Sequence, residues 1–284
     1  MNRYILASLL ATVSGPAFAQ AGDSPPPAPV ATAPVPAAPA AAAEPAICTD
    51  RPTKANATCT VPSGKVQLET DLVNWTRTDA GGVRTDFILY PNPTLKYGLS
   101  SRADIQFNIA PYEELRTHVA GATTTLGGVG DLYVRLKDRV TADSSKVQVA
   151  FIPFVKIPTA RHGLGNREVE GGLAVPIAVT LPESFTLTFG PEADLLSDAN
   201  HPGSRHFNIV NLVNLSKSVG KVTLIGELWS DWNFDPAGTV RQYSADAAVA
   251  WLVAPRLQLD AGANFGLNRN TPDAQVYLGL STRF

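Results

Sequence analysis

The sequence predicts an all-β fold: a single closed antiparallel transmembrane β-barrel of about twelve strands, preceded by a signal peptide and a Pro/Ala-rich periplasmic tether. Three observations lead to this prediction. No helical period is sustained after about residue 64, apolar and polar residues alternate there in segments of roughly 10 to 15 residues, and short links alternate with long ones. Residues 64–284 are therefore assigned to an outer-membrane β-barrel.

The N-terminus has the parts of a secretory signal peptide. Arg3 is followed by an apolar run over residues 4–13, and Ala17-Phe18-Ala19 has the A-x-A form of a cleavage site. The apolar run has about half the length of a membrane-spanning helix, which disfavours an anchor. We assign residues 1–19 to the signal peptide and expect an exported protein.

Residues 20–63 are predicted to form a disordered linker that ends in a small cysteine loop. The Pro/Ala-rich tract over residues 22–46 cannot bury a core and is typical of an extended spacer, with a proline-rich docking motif as the alternative. Cys48 and Cys59 meet an oxidising compartment after export, which predicts a disulfide between them. Two cysteines without a nearby histidine are too few for a metal site, so no metal is predicted.

Twelve alternating segments follow, and their length distinguishes a membrane barrel from a soluble sandwich. Strands of a sandwich have about five or six residues, whereas a tilted strand needs about 9 to 11 residues to cross a bilayer. Since every backbone group must be paired in lipid, such strands can only close into a cylinder. The segments are residues 64–77, 83–99, 102–112, 128–140, 146–158, 169–181, 184–194, 205–216, 221–232, 240–253, 256–267 and 273–284.

The links between these segments predict the orientation of the barrel. Outer-membrane barrels have short periplasmic turns and longer outer loops, and an even number of strands places both termini in the periplasm. Asn211 interrupts the apolar face of the eighth segment, which predicts a bulge at that residue. The tight turns are residues 100–101, 181–183 and 253–255, and the longer links are residues 113–127, 159–168 and 195–204.

Aromatic residues near the segment ends are typical of the girdles at membrane interfaces. The alternative is that some of these rings fill the lumen, since Tyr90 falls on the polar face of its segment. The aromatic residues concerned are Trp75, Tyr90, Tyr97, Tyr112, Trp229, Trp232 and Trp251.

Two features of the sequence resemble a known family of membrane barrels. The stretch "GGVGDLYVRLKDRV", residues 127–140, is similar to the Gly-x-Gly-Asp-Leu strand of the transporter barrels grouped as the putative MetA-pathway of phenol degradation family. Phe284 resembles the terminal aromatic residue by which the outer-membrane assembly machinery recognises its clients. The resemblance covers roughly residues 64 to 284 and implies an outer-membrane barrel that passes small molecules, including aromatic or hydrophobic ones. It brings no substrate-binding residues with it.

The polar face of the segments predicts the residues that line the lumen. These groups either hydrate a pore and tune its selectivity or pair with one another and plug a narrow barrel, because twelve strands lie between filled and open barrels. The candidates are Glu69, Asp71, Asp104, Gln106, Asn108, Asp131, Arg135, Lys137, Glu227, Asp246, Asp260 and Asn264.

Two functions other than transport are also open. Ser204, His206 and Asn208 share one face, as the serine, base and orienting group of a barrel-embedded lipid hydrolase would, although strand alternation produces such spacings easily. A structural barrel without transport is the third hypothesis.

The sequence favours a channel over an enzyme and predicts no cofactor. The small net charge of −2 gives no indication of nucleic-acid binding. A monomer in contact with outer-membrane lipid is expected, since closure removes the sheet edges.

Overall fold

Antiparallel pairing of neighbouring strands closes residues 66–283 into a β-barrel in the computed structural model, which describes residues 45–284. The first strand pairs with the last, with Gln67 opposite Arg283. The signal peptide and most of the predicted tether lie outside the described residues. Within residues 45–284, no helix has the length and apolar character needed to cross a membrane.

Seventeen strand segments build the barrel. They are β1 (Val66–Ala80), β2 (Val83–Leu89), β3 (Asn92–Gly98), β4 (Ala103–Asn108), β5 (Glu113–Val119), β6 (Ala122–Gly128), β7 (Leu132–Arg139), β8 (Val147–Ile157), β9 (Glu170–Ala174), β10 (Ile177–Thr180), β11 (Phe185–Phe189), β12 (Glu192–Ser197), β13 (Arg205–Val219), β14 (Val222–Asn233), β15 (Val240–Ala254), β16 (Leu257–Gly266) and β17 (Ala274–Arg283).

These segments form twelve barrel strands, because five strands are interrupted near their middle and consist of two segments each. The five pairs are β2 with β3, β4 with β5, β6 with β7, β9 with β10, and β11 with β12. Four of the breaks contain a proline, which has no N–H to give to the sheet. The prolines are Pro91, Pro111, Pro176 and Pro191. The predicted closed barrel of about twelve strands is confirmed.

The predicted loop over residues 113–127 is wrong. In the structure β5 and β6 pair residue by residue through a two-residue turn at Ala120 and Gly121, both of which have positive φ. Successive side chains of β5 point to opposite faces of the sheet. The segment therefore continues the barrel strand that begins with β4 and does not form a loop. A second two-residue turn, Gly81-Gly82, joins β1 to β2 at the same rim. We name this the distal rim, and the opposite rim, where β1 begins and β17 ends, the proximal rim.

The predicted bulge at Asn211 is also wrong. β13 pairs with β14 without a register shift, and Asn211 lies opposite Ser230. The Ser230 hydroxyl donates to the backbone carbonyl of Asn211 at 3.4 Å, and the Asn211 side chain is exposed. The register shifts lie elsewhere, between Asp71 and Val73 and between Leu252 and Ala254.

The outer surface of the barrel is apolar over many strands. Along β17, Val276 and Leu278 are 42% and 52% exposed, whereas Tyr277 between them is 6% exposed. Such alternation places apolar side chains outside and the others in the lumen. Of the predicted girdle, five rings are exposed, namely Tyr90, Tyr97, Tyr112, Trp232 and Trp251. Trp229 instead lies in the lumen, where its ring is 4.8 Å from the Lys54 ammonium.

Candidate functional site in the barrel lumen

The lumen is occupied by the chain that precedes β1. We name residues 45–63 the lumen segment. These residues were expected to belong to a disordered linker, and the structure corrects that expectation. They enter the barrel because their charged and backbone groups find partners on the lumen faces of the strands. At the proximal rim the Ile47 N–H donates to the Pro255 carbonyl at 2.7 Å.

Arg51 binds the two strands on either side of β17, namely β1 and β16. Its guanidinium contacts Asp71 of β1 at 2.6 Å and Asp260 of β16 at 2.7 Å. Gly279 of β17 lies between those strands, and a Cβ at this position would overlap the Arg51 guanidinium. The absence of a side chain at 279 therefore makes room for Arg51, which closes a bridge between the two carboxylates.

Lys54 anchors the middle of the lumen segment on the adjacent strands β14 and β15. Its ammonium pairs with Asp246 and also donates to the Ser244 hydroxyl at 3.0 Å. Glu227 accepts the backbone N–H groups of Lys54 and Ala55 at 3.2 and 3.1 Å. A carboxylate held by two backbone N–H groups fixes the path of the segment as well as its charge.

Asp50 joins the lumen segment to two buried lysines. Its carboxylate contacts the ammonium groups of Lys96 and Lys137, and Lys137 is 1% exposed. Burial by itself would raise the pKa of Asp50, but the charges of Lys137 and Lys96 outweigh burial and lower this pKa well below its ordinary value. The carboxylate therefore stays ionised across the ordinary pH range.

A disulfide between Cys48 and Cys59 closes a loop within the lumen segment, as predicted. Inside this loop the Ala57 N–H donates to the Asp50 carboxylate at 2.8 Å. Beyond the loop, the Val61 N–H donates to Asp104 of β4 at 2.9 Å. The loop is thus covalently closed and held to the barrel on both sides.

The structure brings the twelve predicted lumen residues to the inner surface in two groups. One group contacts the lumen segment directly: Glu69, Asp71, Asp104, Lys137, Glu227, Asp246 and Asp260. The other group contacts residues of the barrel wall and its links: Gln106, Asn108, Asp131, Arg135 and Asn264. No group of three histidine, cysteine or acidic side chains within residues 45–284 is placed to hold a metal ion.

Above the lumen segment lies a cavity of about 410 Å³ with walls of different character. Its floor is formed by Asp50, Arg51, Thr53, Lys54 and Asn56. One wall is polar and includes Glu69, Asp71, Thr94, Lys96, Gln106 and Asn108. The facing wall is largely apolar and includes Ile152, Phe154, Ala174, Val210, Leu212 and Trp229. A small solute could thus contact polar groups on one side and apolar groups on the other.

Sequence reasoning missed part of this site. Lys96 shares its face with Asn92 and Thr94, so alternation within β3 could have identified it. The apolar wall gave a weaker signal, because β8 has apolar residues on both faces: Ile152 points inward and is 1% exposed, while Phe151 points outward and is 40% exposed. Only the closed sheet shows which apolar face belongs to the lumen.

The family profile described as "Putative MetA-pathway of phenol degradation" matches residues 49–284. The chain belongs to this family. The matched region begins within the lumen segment and includes Asp50, Arg51 and Lys54. No match was found among curated protein sequences.

Two solved structures of outer-membrane proteins have a similar fold. An outer membrane channel from Pseudomonas putida F1 superimposes with a TM-score of 0.64 at 16% identity, covering 80% of this chain and 98% of that chain. The NanC porin superimposes with a TM-score of 0.52 at 8% identity, covering 76% of this chain and 98% of that chain. At these identities the similarity is one of fold.

The serine, histidine and asparagine considered for hydrolysis do not form a bonded triad. Ser204 lies just before β13 in an exposed link, and its backbone bonds are to Asp198 and His201. Neither ring nitrogen of His206 has a hydrogen-bond partner in the described part of the chain. Asn208 donates instead to Asp194 and Asp231, both at 3.1 Å. The relay that nucleophilic catalysis requires between serine and base is not assembled here.

Proposed function

We propose that the protein is an outer-membrane channel for small solutes, and that the solute path passes through the cavity above the lumen segment. The cavity, with one polar and one apolar wall inside a barrel whose outer surface is apolar, is the observation that carries this proposal. A polar lumen inside an apolar cylinder is the arrangement used by porins to conduct water-soluble molecules.

The apolar wall supports small aromatic or hydrophobic molecules among the solutes, which agrees with the family's description. Phe154, Leu212 and Trp229 provide an apolar surface of about the size of one aromatic ring. The polar wall opposite can bind the substituents of that ring. The lumen segment narrows the path at the proximal side. Solute size is therefore expected to be limited by the space that this segment leaves.

The proposed orientation places the proximal rim and both chain termini in the periplasm. The closed barrel leaves no sheet edge for a second copy, which supports a monomer surrounded by outer-membrane lipid. The Phe284 ring is 65% exposed at the proximal rim, where the assembly machinery could bind it. The twelve lumen residues predicted from the sequence are proposed to line or narrow the solute path.

Planar bilayers test the channel directly. Reconstituted protein is expected to give stepwise conductance, because water and ions can reach the polar wall of the cavity. Liposomes containing the protein are expected to admit phenol-sized solutes faster than a disaccharide. Bilayers that stay silent with barrels shown to be folded would contradict the proposal.

A further inference from the structure

Three carboxyl groups on the lumen face near the distal rim form no ion pair within the described residues, unlike Asp71, Asp246 and Asp260. Asp194 of β12 and Asp231 of β14 lie on either side of β13, and Asn208 of β13 donates one amide nitrogen to both of them at 3.1 Å. Glu192 lies two residues from Asp194, and its carboxylate adjoins that of Asp194. We name Glu192, Asp194 and Asp231 the distal acidic cluster.

The charges around this cluster differ from those around the lumen segment. Asp71 and Asp260 share Arg51, Asp246 has Lys54, and Glu170 has Lys156. The strongest electrostatic influences on Asp194 come from other acids and from an amide, and the same amide acts on Asp231. Arg135 is the basic side chain that acts on Glu192. The three carboxyl groups therefore have less positive charge beside them than the acids that contact the lumen segment.

Unpartnered polar groups adjoin the cluster. His206 is 8% exposed, lies on the lumen face two residues from Asn208, and has no hydrogen-bond partner at either ring nitrogen within the described residues. One carboxylate oxygen of Asp194 and the amide oxygen of Asn208 are likewise buried without a donor there. Buried acceptors without donors are costly, so a bound ligand that donates hydrogen bonds would relieve them.

We infer that the distal acidic cluster and the adjoining cavity wall form a binding subsite for small organic cations with a protonated amine and an apolar body. Glu192 connects the two parts, because it lines the same cavity as Val210, Phe154 and Trp229. The amine supplies positive charge and N–H donors to the carboxylates, and the aromatic rings contact the body of the solute. No group of three metal-binding side chains is assembled in residues 45–284, which favours an organic cation over a directly bound metal ion.

This inference rests on the proposed channel, because it names the class of solute that the same cavity selects. Its test is a binding measurement that needs no conductance. Detergent-purified protein is titrated by calorimetry with benzylammonium, benzyl alcohol and benzoate, which share one ring and differ in charge. Benzylammonium is expected to bind about tenfold or more tightly than the alcohol, and benzoate the most weakly.

Variants locate the site. Asp194→Asn combined with Asp231→Asn keeps the shape of both side chains and is expected to weaken benzylammonium binding at least about tenfold, with little effect on benzyl alcohol. Asp138→Asn is the matched control, since Asp138 lies on the outer face of β7 and, among the described residues, forms an ion pair with Arg102. Equal binding of the amine and the alcohol, or amine binding unchanged by the double variant, would overturn the inference. If the protein conducts but does not bind the amine preferentially, the channel is supported and the subsite is refuted. If a non-conducting barrel binds the amine selectively, the channel alone is refuted.

Discussion

Asp50 contacts three charged side chains of the barrel wall. It contacts Lys96 and Lys137 through its carboxylate and Glu69 through its backbone N–H, the latter at 3.0 Å. Lys137 has no other carboxylate among its described contacts and otherwise donates to carbonyl groups of the segment. Removing the charge of Asp50 would leave Lys137 buried without a counter-ion.

Asp50→Asn is therefore expected to weaken docking of the lumen segment by up to about 3 kcal/mol, because an uncompensated charge remains in the barrel wall. In planar bilayers this variant should show larger or more fluctuating conductance than the wild type. Asp138→Asn, an acid-to-amide change on the outer face, should conduct as the wild type does.

The pH dependence of docking through Asp50 follows from the lowered pKa of its carboxyl group. A carboxyl whose pKa is lower in the folded than in the unfolded state contributes stability that is complete above the unfolded value, near 3.8, and is lost only as the pH falls through the lower folded value. Asp50 should thus keep the lumen segment docked from neutral pH down to about pH 4, and the conductance of the wild type should stay constant over this range. A gain of conductance in the wild type on acidification over this range, equal to that of Asp50→Asn, would argue against the docking role.

Regular alternation along the strands predicts individual lumen residues. Glu69, Asp104 and Asp260 were predicted on the lumen face, and the structure places each of them 6% exposed or less. Asp50 was not identified, because it lies in a segment without periodicity, and a charge in such a segment is ordinarily solvated. Its role depends on where the segment folds, which no local pattern encodes.

At the scale of elements, the lumen segment behaves as part of the barrel and not as part of the tether. The disulfide between Cys48 and Cys59 spans a separation of 11 residues, and a loop of this size is worth about 3 kcal/mol in the chain-entropy account. Cys48 is exposed, so a reductant can reach it. The disulfide and the ion pairs of Asp50, Arg51 and Lys54 thus hold the segment by independent means.

Reduction of the disulfide is expected to loosen the lumen segment without unfolding the barrel. In planar bilayers, dithiothreitol should raise the conductance or its fluctuation, because the segment keeps its ion pairs but loses its closed loop. The double variant Cys48→Ser with Cys59→Ser should show the loosened behaviour from the start and should not respond to the reductant. A wild-type response matched in size by the double variant would mean that the reductant acts elsewhere.

The strands themselves were predicted more accurately than the connections between them. Period-two alternation is a local property, so it marks a strand wherever one face meets lipid and the other faces the lumen. The hairpin of β5 and β6 was missed, because the strands extend beyond the band that the outer apolar residues define. The prolines at the breaks were visible in the sequence, but their effect on which side chains face inward became evident only from the pairing of strands.

At the scale of the whole molecule, closure between β1 and β17 determines both stability and accessibility. The Phe284 N–H donates to the Val66 carbonyl at 2.8 Å, so the last residue takes part in the seam. Its ring remains 65% exposed and makes little contribution to the lumen. The backbone of Phe284 therefore serves closure, and its side chain is free to act as the proposed assembly signal.

Phe284→Ala keeps the backbone bond and removes the ring. We expect this variant to lower the amount of folded barrel in the outer membrane several-fold, while barrels refolded in detergent remain as stable as the wild type. Gel migration before and after boiling measures the folded fraction in each case. Leu278→Ala, which removes another exposed apolar side chain of β17, is the control. Equal loss in both variants would assign the effect to lost lipid contact instead of recognition.

The sequence by itself determined the class of fold, the approximate number of strands and the pairing of the two cysteines, and it predicts the acidic residues of the lumen. These follow from period-two alternation and composition, which act over neighbouring residues. Only the tertiary structure decided that residues 45–63 enter the barrel, that Trp229 and an apolar wall face the lumen, and that Glu192, Asp194 and Asp231 lie close together. These arrangements join residues far apart in the chain, and their energies depend on closure of the barrel, which brings the distant groups within range of one another.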